Sequence, residues 1–347
     1  MSRNDTLAHA LMEVRDLQVF FSLGGQRGSV KAVNGVSFDV FRGETLGVIG
    51  ESGSGKTTLG RALVSLVQPT EGRIFQDAVD PAKLSPKQFR NHRRNYQIIF
   101  QDPNAALNPR MRIIDSLMEP LQVQGQKERI DMEQIALDAL TRVGLSHEHA
   151  QRFPHQFSGG QKQRIVIARA LVLRPKVLVC DEVVAALDVS IRGEILNLFK
   201  QLQREFDLTY VFITHDLSVV SHISDRIAVM YLGCLMELGP AETVSVNPLH
   251  PYTQALLSAN PEPLPTHLRS KTRIMLKGEI PSPVNPPSGC SFRTRCPIAE
   301  LQCEQFRPQW REIRPSHWIA CHRADTNGGF IGESVFPSTS WQNESVG

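Results

Sequence analysis

Gly50-Glu51-Ser52-Gly53-Ser54-Gly55-Lys56-Thr57-Thr58 carries the spacing G-x-x-x-x-G-K-[ST]. Glycines at such steps let the backbone turn tightly and bring bare N–H groups up to an anion. A helix starting at the end of the turn adds partial positive charge. Lys56 can then reach the β- and γ-phosphates of a nucleoside triphosphate, and the Thr57 hydroxyl can hold Mg²⁺. A second candidate is the apolar run Val177–Cys180 followed by Asp181-Glu182. At the end of a buried strand, Asp181 would hold Mg²⁺ directly or through water, and Glu182 would polarise an attacking water as general base. A third is Phe157-Ser158-Gly159-Gly160-Gln161, which opens a helix running to Leu171. Ser158 suits the N-cap, and the two glycines expose N–H groups to an anion.

These segments need elements to position them. Thr45–Ile49 predicts a short buried strand leading into the glycine-rich turn, and Leu59 to Val67 predicts a helix after it, with Pro69-Thr70-Glu71-Gly72 as its end. Leu17-Gln18-Val19-Phe20-Phe21 alternates as a strand with Leu17, Val19 and Phe21 on one face, and Val30 to Val40 predicts another after a turn over 23–29. Ser85-Pro86 fits the cap and first position of a short basic helix through Arg94. Arg90, His92, Arg93 and Arg94 have no aromatic residues interleaved for base stacking, so they suit a solvated face and no nucleic-acid partner is expected. Gln97–Phe100 predicts a strand ending at Gln101. From Asp102 to Leu171 the pattern is helical, with Ile135, Ala136, Ala139, Leu140 and Val143 at helical spacing and Gly144 as a stop. Tyr210–Thr214 predicts a strand ending at His215, and Ile227–Glu237 a hairpin around Gly233.

The 347 residues suit one large domain with an extension, or two domains, and the net charge of +3 is too mild to argue for a polyanionic partner. No apolar run approaches the ~18 residues of a membrane span. Met1 to Ala10 is polar and lacks a signal-peptide core, so a cytoplasmic location is expected. There is one phosphate loop, so the chain holds half of any two-site machine.

Taken together, the motifs resemble those of the ATP-binding subunit of an ATP-binding-cassette (ABC) transporter. Gly50 to Thr58 matches Walker A, Gln101 the Q-loop, Phe157 to Gln161 the signature with Phe for the usual Leu, Val177 to Glu182 Walker B, Ala186-Leu187-Asp188 the D-loop, and His215 the switch histidine. The resemblance implies an α/β fold: a P-loop ATPase core with an antiparallel β subdomain and a helical subdomain. It implies an ATPase working as a head-to-tail dimer, with ATP held between one subunit's Walker A and the other's signature. Thr57, Gln101 and Asp181 would hold Mg²⁺. Phe21 matches the aromatic that stacks on adenine. Val183-Val184-Ala185 replaces the family's frequent Pro-Thr-Ser, which would alter hydrogen bonds to the partner while keeping Asp188.

A narrower likeness runs through Phe100-Gln101-Asp102-Pro103, Leu107–Met111, Asn247–Thr253, Gly278–Pro283 and Pro286 to Pro297. These resemble the dipeptide/oligopeptide import branch, some members of which take nickel or other small solutes. Implied partners are two transmembrane permeases, a second ATP-binding subunit (a sister chain or this one) and an extracytoplasmic peptide-binding protein. The place is the cytoplasmic face of the cell (inner) membrane. A soluble ABC ATPase outside transport is the less favoured alternative. Expected boundaries are an N-terminal tail over 1–12, the ATPase domain over 13–247 with its helical subdomain near 102–171, a Cys/Pro-rich extension over 248–322, and a flexible tail over 323–347.

Cys290, Cys296, Cys303 and Cys321 cluster in the extension. In a reducing compartment such a group suggests metal before disulfides. Four thiolates suit a 4Fe–4S cluster or a tetrahedral zinc, with free or oxidised thiols as the remaining reading. Seven prolines between 281 and 315 predict little helix or core there. Cys180 and Cys234 fall in apolar strands and are expected in the core.

Overall fold

The computed structural model describes residues 10–24, 28–126, 128–259 and 274–324. Most of the two expected tails, and residues 25–27 of the first turn, lie outside this set. The order begins β1 (Ala10–Ser22), β2 (Ser29–Phe41), β3 (Thr45–Ile49), α1 (Lys56–Leu63), β4 (Glu71–Gln76), α2 (Pro86–Arg93) and β5 (Tyr96–Ile99). Four helices follow: α3 (Pro103–Ala106), α4 (Ile113–Val123), α5 (Arg129–Arg142) and α6 (Gly159–Leu171). Next come β6 (Val177–Asp181), α7 (Val189–Phe206), β7 (Thr209–Ile213), α8 (Leu217–Ile223), and the hairpin β8 (Arg226–Tyr231) with β9 (Cys234–Pro240). The described chain ends with α9 (Ala241–Val246), α10 (Pro251–Ser258), α11 (Leu301–Gln305), β10 (Arg311–Arg314) and β11 (His317–Ile319).

The larger sheet has eight strands in the order β10-β11-β9-β8-β3-β7-β6-β5. Its five strands from β8 to β5 run parallel. Parallel strands are covered on both faces and so read as continuous apolar runs. On β6 and β7, Leu178, Cys180, Tyr210 and Phe212 face the cluster shared with α4, α5, α6 and α7. Val177, Val179, Val211 and Ile213 face the other way, towards α1 and the second sheet. That second sheet is antiparallel, in the order β2-β1-β4. The parallel strands point their carboxyl ends at one edge, where α/β sheets bind ligands.

Three expectations need correcting. The helix after the glycine-rich turn begins at Lys56 and ends at Leu63, well short of Pro69, because Ser65 takes a left-handed φ of 58°. Glu71–Gln76 is a strand paired with β1, where the Pro-Thr-Glu-Gly string suggested only a helix end. The proline-rich extension does build structure: α11 forms, and β11 joins the main sheet beside β9. Its Cys290, Phe292 and Cys303 enter an apolar cluster with Tyr231 and Tyr252. Long-range strand pairing and aromatic packing, both invisible to local spacing, overcome the prolines. Other expectations hold locally. Ser85 caps α2 through a reciprocal pair with Gln88, and Gly144 follows α5 with a φ of 77°. Cys180 and Cys234 are buried.

The extension is pinned by a buried carboxylate. Glu237 on β9 accepts the Leu249 N–H (2.7 Å) and the His250 N–H (3.0 Å), and its Oε1 lies 2.8 Å from His317 Nε2 on β11. His250 stays neutral because burial pushes its pKa down to about 4, which frees Nδ1 to accept the Tyr252 N–H at the start of α10. Glu237→Ala removes one acceptor shared by three buried donors. The expected loss is about 3 kcal/mol of unfolding free energy, measured by urea denaturation. A loss below ~1 kcal/mol would show that the carboxylate is not the anchor.

Candidate functional site

The glycine-rich turn joins β3 to α1 at the carboxyl edge of the sheet. Gly50 (φ 155°) and Gly55 (φ 101°) have conformations and surroundings that only glycine meets: a Cβ would overlap the Met230 carbonyl at the first and the Ala32 carbonyl at the second. Gly233 N–H donates to the Ser54 carbonyl (2.9 Å), tying the turn to the β8–β9 hairpin. Ser52 and Gly53 are exposed, while Ser54 and Lys56 are buried. Lys56 Nζ is held by the Gly50 carbonyl (2.8 Å), the Glu51 carbonyl (2.9 Å) and Ser54 Oγ (3.3 Å). Burial lowers the Lys56 pKa, and the nearby charges of Glu182, Asp181 and Glu51 work against that shift. The ammonium thus sits inside the curl of the turn. Thr58 is half-buried on the first turn of α1.

Thr57 Oγ1 on α1 donates to Asp181 Oδ1 at the end of β6 (3.1 Å), bringing two of the three expected Mg²⁺ ligands together. Burial raises the Asp181 pKa, and the Thr57 hydrogen bond opposes it. A buried carboxylate beside a hydroxyl, with a lysine near, is a hard-oxygen donor set that fits Mg²⁺. Glu182 follows with a left-handed φ of 52°, its N–H held by the Ile213 carbonyl (2.9 Å). Its Oε1 lies 3.2 Å from His215 Nδ1, just past the end of β7. Gln101 is exposed two residues beyond β5, which pairs with β6 through Ile99 and Cys180. It therefore lies at the same sheet edge, although no hydrogen bond ties it to the others. Phe21 sits at the end of β1 opposite Val30, 43% exposed, so its ring is available for stacking.

Ser158, Gly159, Gly160 and Gln161 stand apart from this group. They open α6, which packs on α3, α4, α5, α7 and β5. Ser158 caps the helix, accepting from Gln161 N–H (3.3 Å), while Gln161 Oε1 takes the Ser158 N–H (3.0 Å). Ser158 and Gly159 are exposed, and a Cβ on Gly160 would crowd Ile191. Phe157 is buried in the helical cluster, where its bulk serves packing. Asp188 caps α7 by position and is exposed, whereas Val183 and Val184 are buried in the core. This burial is the structural use of the two valines, which stand where Pro and Thr are common.

Cys290, Cys296, Cys303 and Cys321 line one cavity of about 10 Å³, roughly the room of a single water. Burial pushes the Cys290 and Cys296 thiols up to about 12 and raises Cys321 as well. Among the described residues, no three His, Cys, Asp or Glu are arranged to hold a metal ion. The expected metal thus has a converging set of thiols but no ready ligand geometry.

Two contacts on the turn were not anticipated. The Glu51 N–H donates to Tyr252 Oη (2.9 Å), and the Glu51 carboxylate pairs with Arg295. Both partners lie more than 200 residues away, beyond the reach of any local pattern.

Comparison with known proteins bears on this geometry. Residues 33–185 match the ABC transporter family, and 236–303 match the oligopeptide/dipeptide transporter C-terminal region. The oligopeptide transport ATP-binding protein AppF of Bacillus subtilis (strain 168) is 50% identical over 318 residues, covering 90% of this chain and 97% of its own. OppF of Salmonella typhimurium, named an oligopeptide transport ATP-binding protein, is 49% identical, covering 91% and 96%. A dimeric, post-hydrolysis ATP-binding cassette, MJ0796 bound to ADP and Pi, superposes with a TM-score of 0.60 at 28% identity, covering 66% of this chain and 98% of that one. The cbiO1 subunit from Clostridium perfringens gives 0.61 at 29%, covering 68% and 90%.

The arrangement separates grip from turnover. Lys56→Ala is expected to weaken ATP binding at least ~10-fold, since it removes the one buried cation of the turn. Glu182→Gln should keep binding and lower turnover by about 10²–10⁴. His215→Ala should slow turnover more than binding. Steady-state ATPase and equilibrium binding assays on the assembled complex check all three. Wild-type turnover in Glu182→Gln would exclude the carboxylate as base.

Proposed function

The chain belongs to the ATP-binding subunits of ABC transporters, in the oligopeptide/dipeptide branch, and from that premise we propose how it drives peptide uptake. It is an ATPase of the importer class. The observation that carries the mechanism is the meeting of Lys56, Thr57, Asp181, Glu182 and His215 at one sheet edge. The relatives' names favour peptides over nickel or another small solute, and over an ABC ATPase outside transport.

In this reading the N–H groups of 55–58 and the Lys56 ammonium bind the β- and γ-phosphates, and Phe21 stacks on the adenine. Thr57, Asp181 and Gln101 would hold Mg²⁺, which would supply charge neutralisation at the phosphate oxygens. Glu182 takes the proton from the attacking water. His215, beside Glu182, orients that water and the γ-phosphate. Ser158, Gly159, Gly160 and Gln161 face the phosphates of a second subunit, with Asp188 at the same interface. Nucleotide touching two subunits binds the closed dimer more tightly than the open one. That difference is what can move the permeases.

The partners we infer are two permeases, which dock on the helices after Gln101, a second ATP-binding subunit, and an extracytoplasmic peptide-binding protein reached through the permeases. No helix among the described residues is long and apolar enough to cross a membrane. A peripheral place on the cytoplasmic face, held by the permeases, agrees with that. Residues 13–247 would serve as the ATPase domain and 248–322 as the branch-specific extension.

Reconstitution with the permeases and the binding protein tests the function. ATP-dependent accumulation of a labelled oligopeptide, lost in Glu182→Gln, is expected. Peptide-independent ATPase with no accumulation of any peptide would count against it.

For the four extension thiols we infer a single ligand set, for a 4Fe–4S cluster ahead of zinc. Support comes from their shared cavity and from the reducing compartment expected for this chain. The cavity would have to widen to admit a cluster. Anaerobic purification with iron, sulfide and zinc analysis decides it. About four irons per chain and a brown colour are expected, one zinc favours the alternative, and metal-free protein that still transports excludes both.

A further inference from the structure

The extension reaches into the phosphate loop itself. Arg295 Nη1 donates to Glu51 Oε2 (2.7 Å) and Nη2 to Glu51 Oε1 (3.1 Å), a two-pronged pair. The Arg295 side chain is 9% exposed and that of Glu51 26%. Tyr231 Oη accepts from the same guanidinium at 3.4 Å. Tyr231, Tyr252 and Phe292 pack ring on ring, with centroids 4.8 to 5.3 Å apart, and so fix the platform from which Arg295 and Tyr252 reach the loop.

A carboxylate in a loop built to hold a triphosphate is a like charge beside the ligand. Left unpaired, it would oppose binding through short, poorly screened distances. Arg295 neutralises that charge and holds the carboxylate towards the extension. Tyr252 Oη meanwhile fixes the Glu51 N–H, and so the direction of the first peptide of the turn.

We propose that Arg295 is a positioning residue for the phosphate loop, and that through it the C-terminal extension sets this chain's affinity for ATP. The inference rests on Gly50–Thr58 being the ATP phosphate loop. Arg295 touches no nucleotide, and its effect passes through Glu51. The extension therefore belongs to the working nucleotide site, beyond marking a branch of the family.

The test uses the full chain assembled with its permeases. Arg295→Gln should raise KM for ATP about tenfold, ~1.4 kcal/mol, with kcat within about twofold of wild type. Glu51→Gln on top of it should recover most of the loss, because the offending charge is then gone. A purely structural role for Arg295 would show no such recovery. Arg295→Lys, which keeps the charge, should stay within about threefold of the wild-type KM, and serves also if Arg295→Gln fails to assemble. An unchanged KM in Arg295→Gln overturns the proposal, as does a double variant no better than the single one or Arg295→Lys as poor as Arg295→Gln. Lys56→Ala run alongside separates the two readings. If it binds ATP as wild type does, the phosphate-loop reading itself fails.

Discussion

The close approach of three backbones around Gly50 and Gly55 is the constraint on which the site depends. The Met230 carbonyl of β8 and the Ala32 carbonyl of β2 press on the glycine-rich turn where any side chain would stand. The turn is thereby shaped by both sheets at once, and the Ser54–Gly233 hydrogen bond closes the ring. Loop residues alone would lose backbone entropy on holding such a curl. Here the cost is met by packing already required for the core, so the curl is held before any ligand arrives. Preorganised donors of this kind bind charge without reorganising.

At the same edge the proposed reading makes one chain incomplete. Lys56, Thr57, Asp181, Glu182 and His215 converge within it, while Ser158 and Gly159 stand exposed at the head of α6, on the helical side. In the proposed reading this anion site becomes whole only when a second subunit supplies the missing half. Closure is then linked to nucleotide by differential affinity. Glu51, Arg295 and Tyr252 add a further dependence, of the loop on residues near the end of the described chain.

Much of this was legible from the chain alone, for local reasons. The parallel strands β3, β6 and β7 are short, mostly apolar runs, and Gly50, Glu182 and His215 follow theirs within two positions. Caps such as Ser85 and Ser158 are announced by a glutamine three residues on. What escaped was non-local. Strand β4 is Glu-Gly-Arg-Ile-Phe-Gln, with alternation too weak to declare itself, and it exists because β1 offers an edge. The early end of α1 follows from the left-handed Ser65, a residue type that signals nothing of the kind. Strand β11 is three residues long and depends on β9 and on the buried Glu237–His317 contact. The Arg295–Glu51 pair spans 244 positions, which no spacing rule can see.

The central claim is that one chain's α6 head completes another chain's phosphate loop around ATP. A photo-crosslinking side chain placed at Ser158 in the assembled transporter reads this directly, with the cross-linked peptides identified by mass spectrometry. The account expects cross-links to residues 50–58 of the paired ATP-binding subunit, rising when ATP is added and falling after hydrolysis. Cross-links confined to the same chain, or equal with and without ATP, would contradict it.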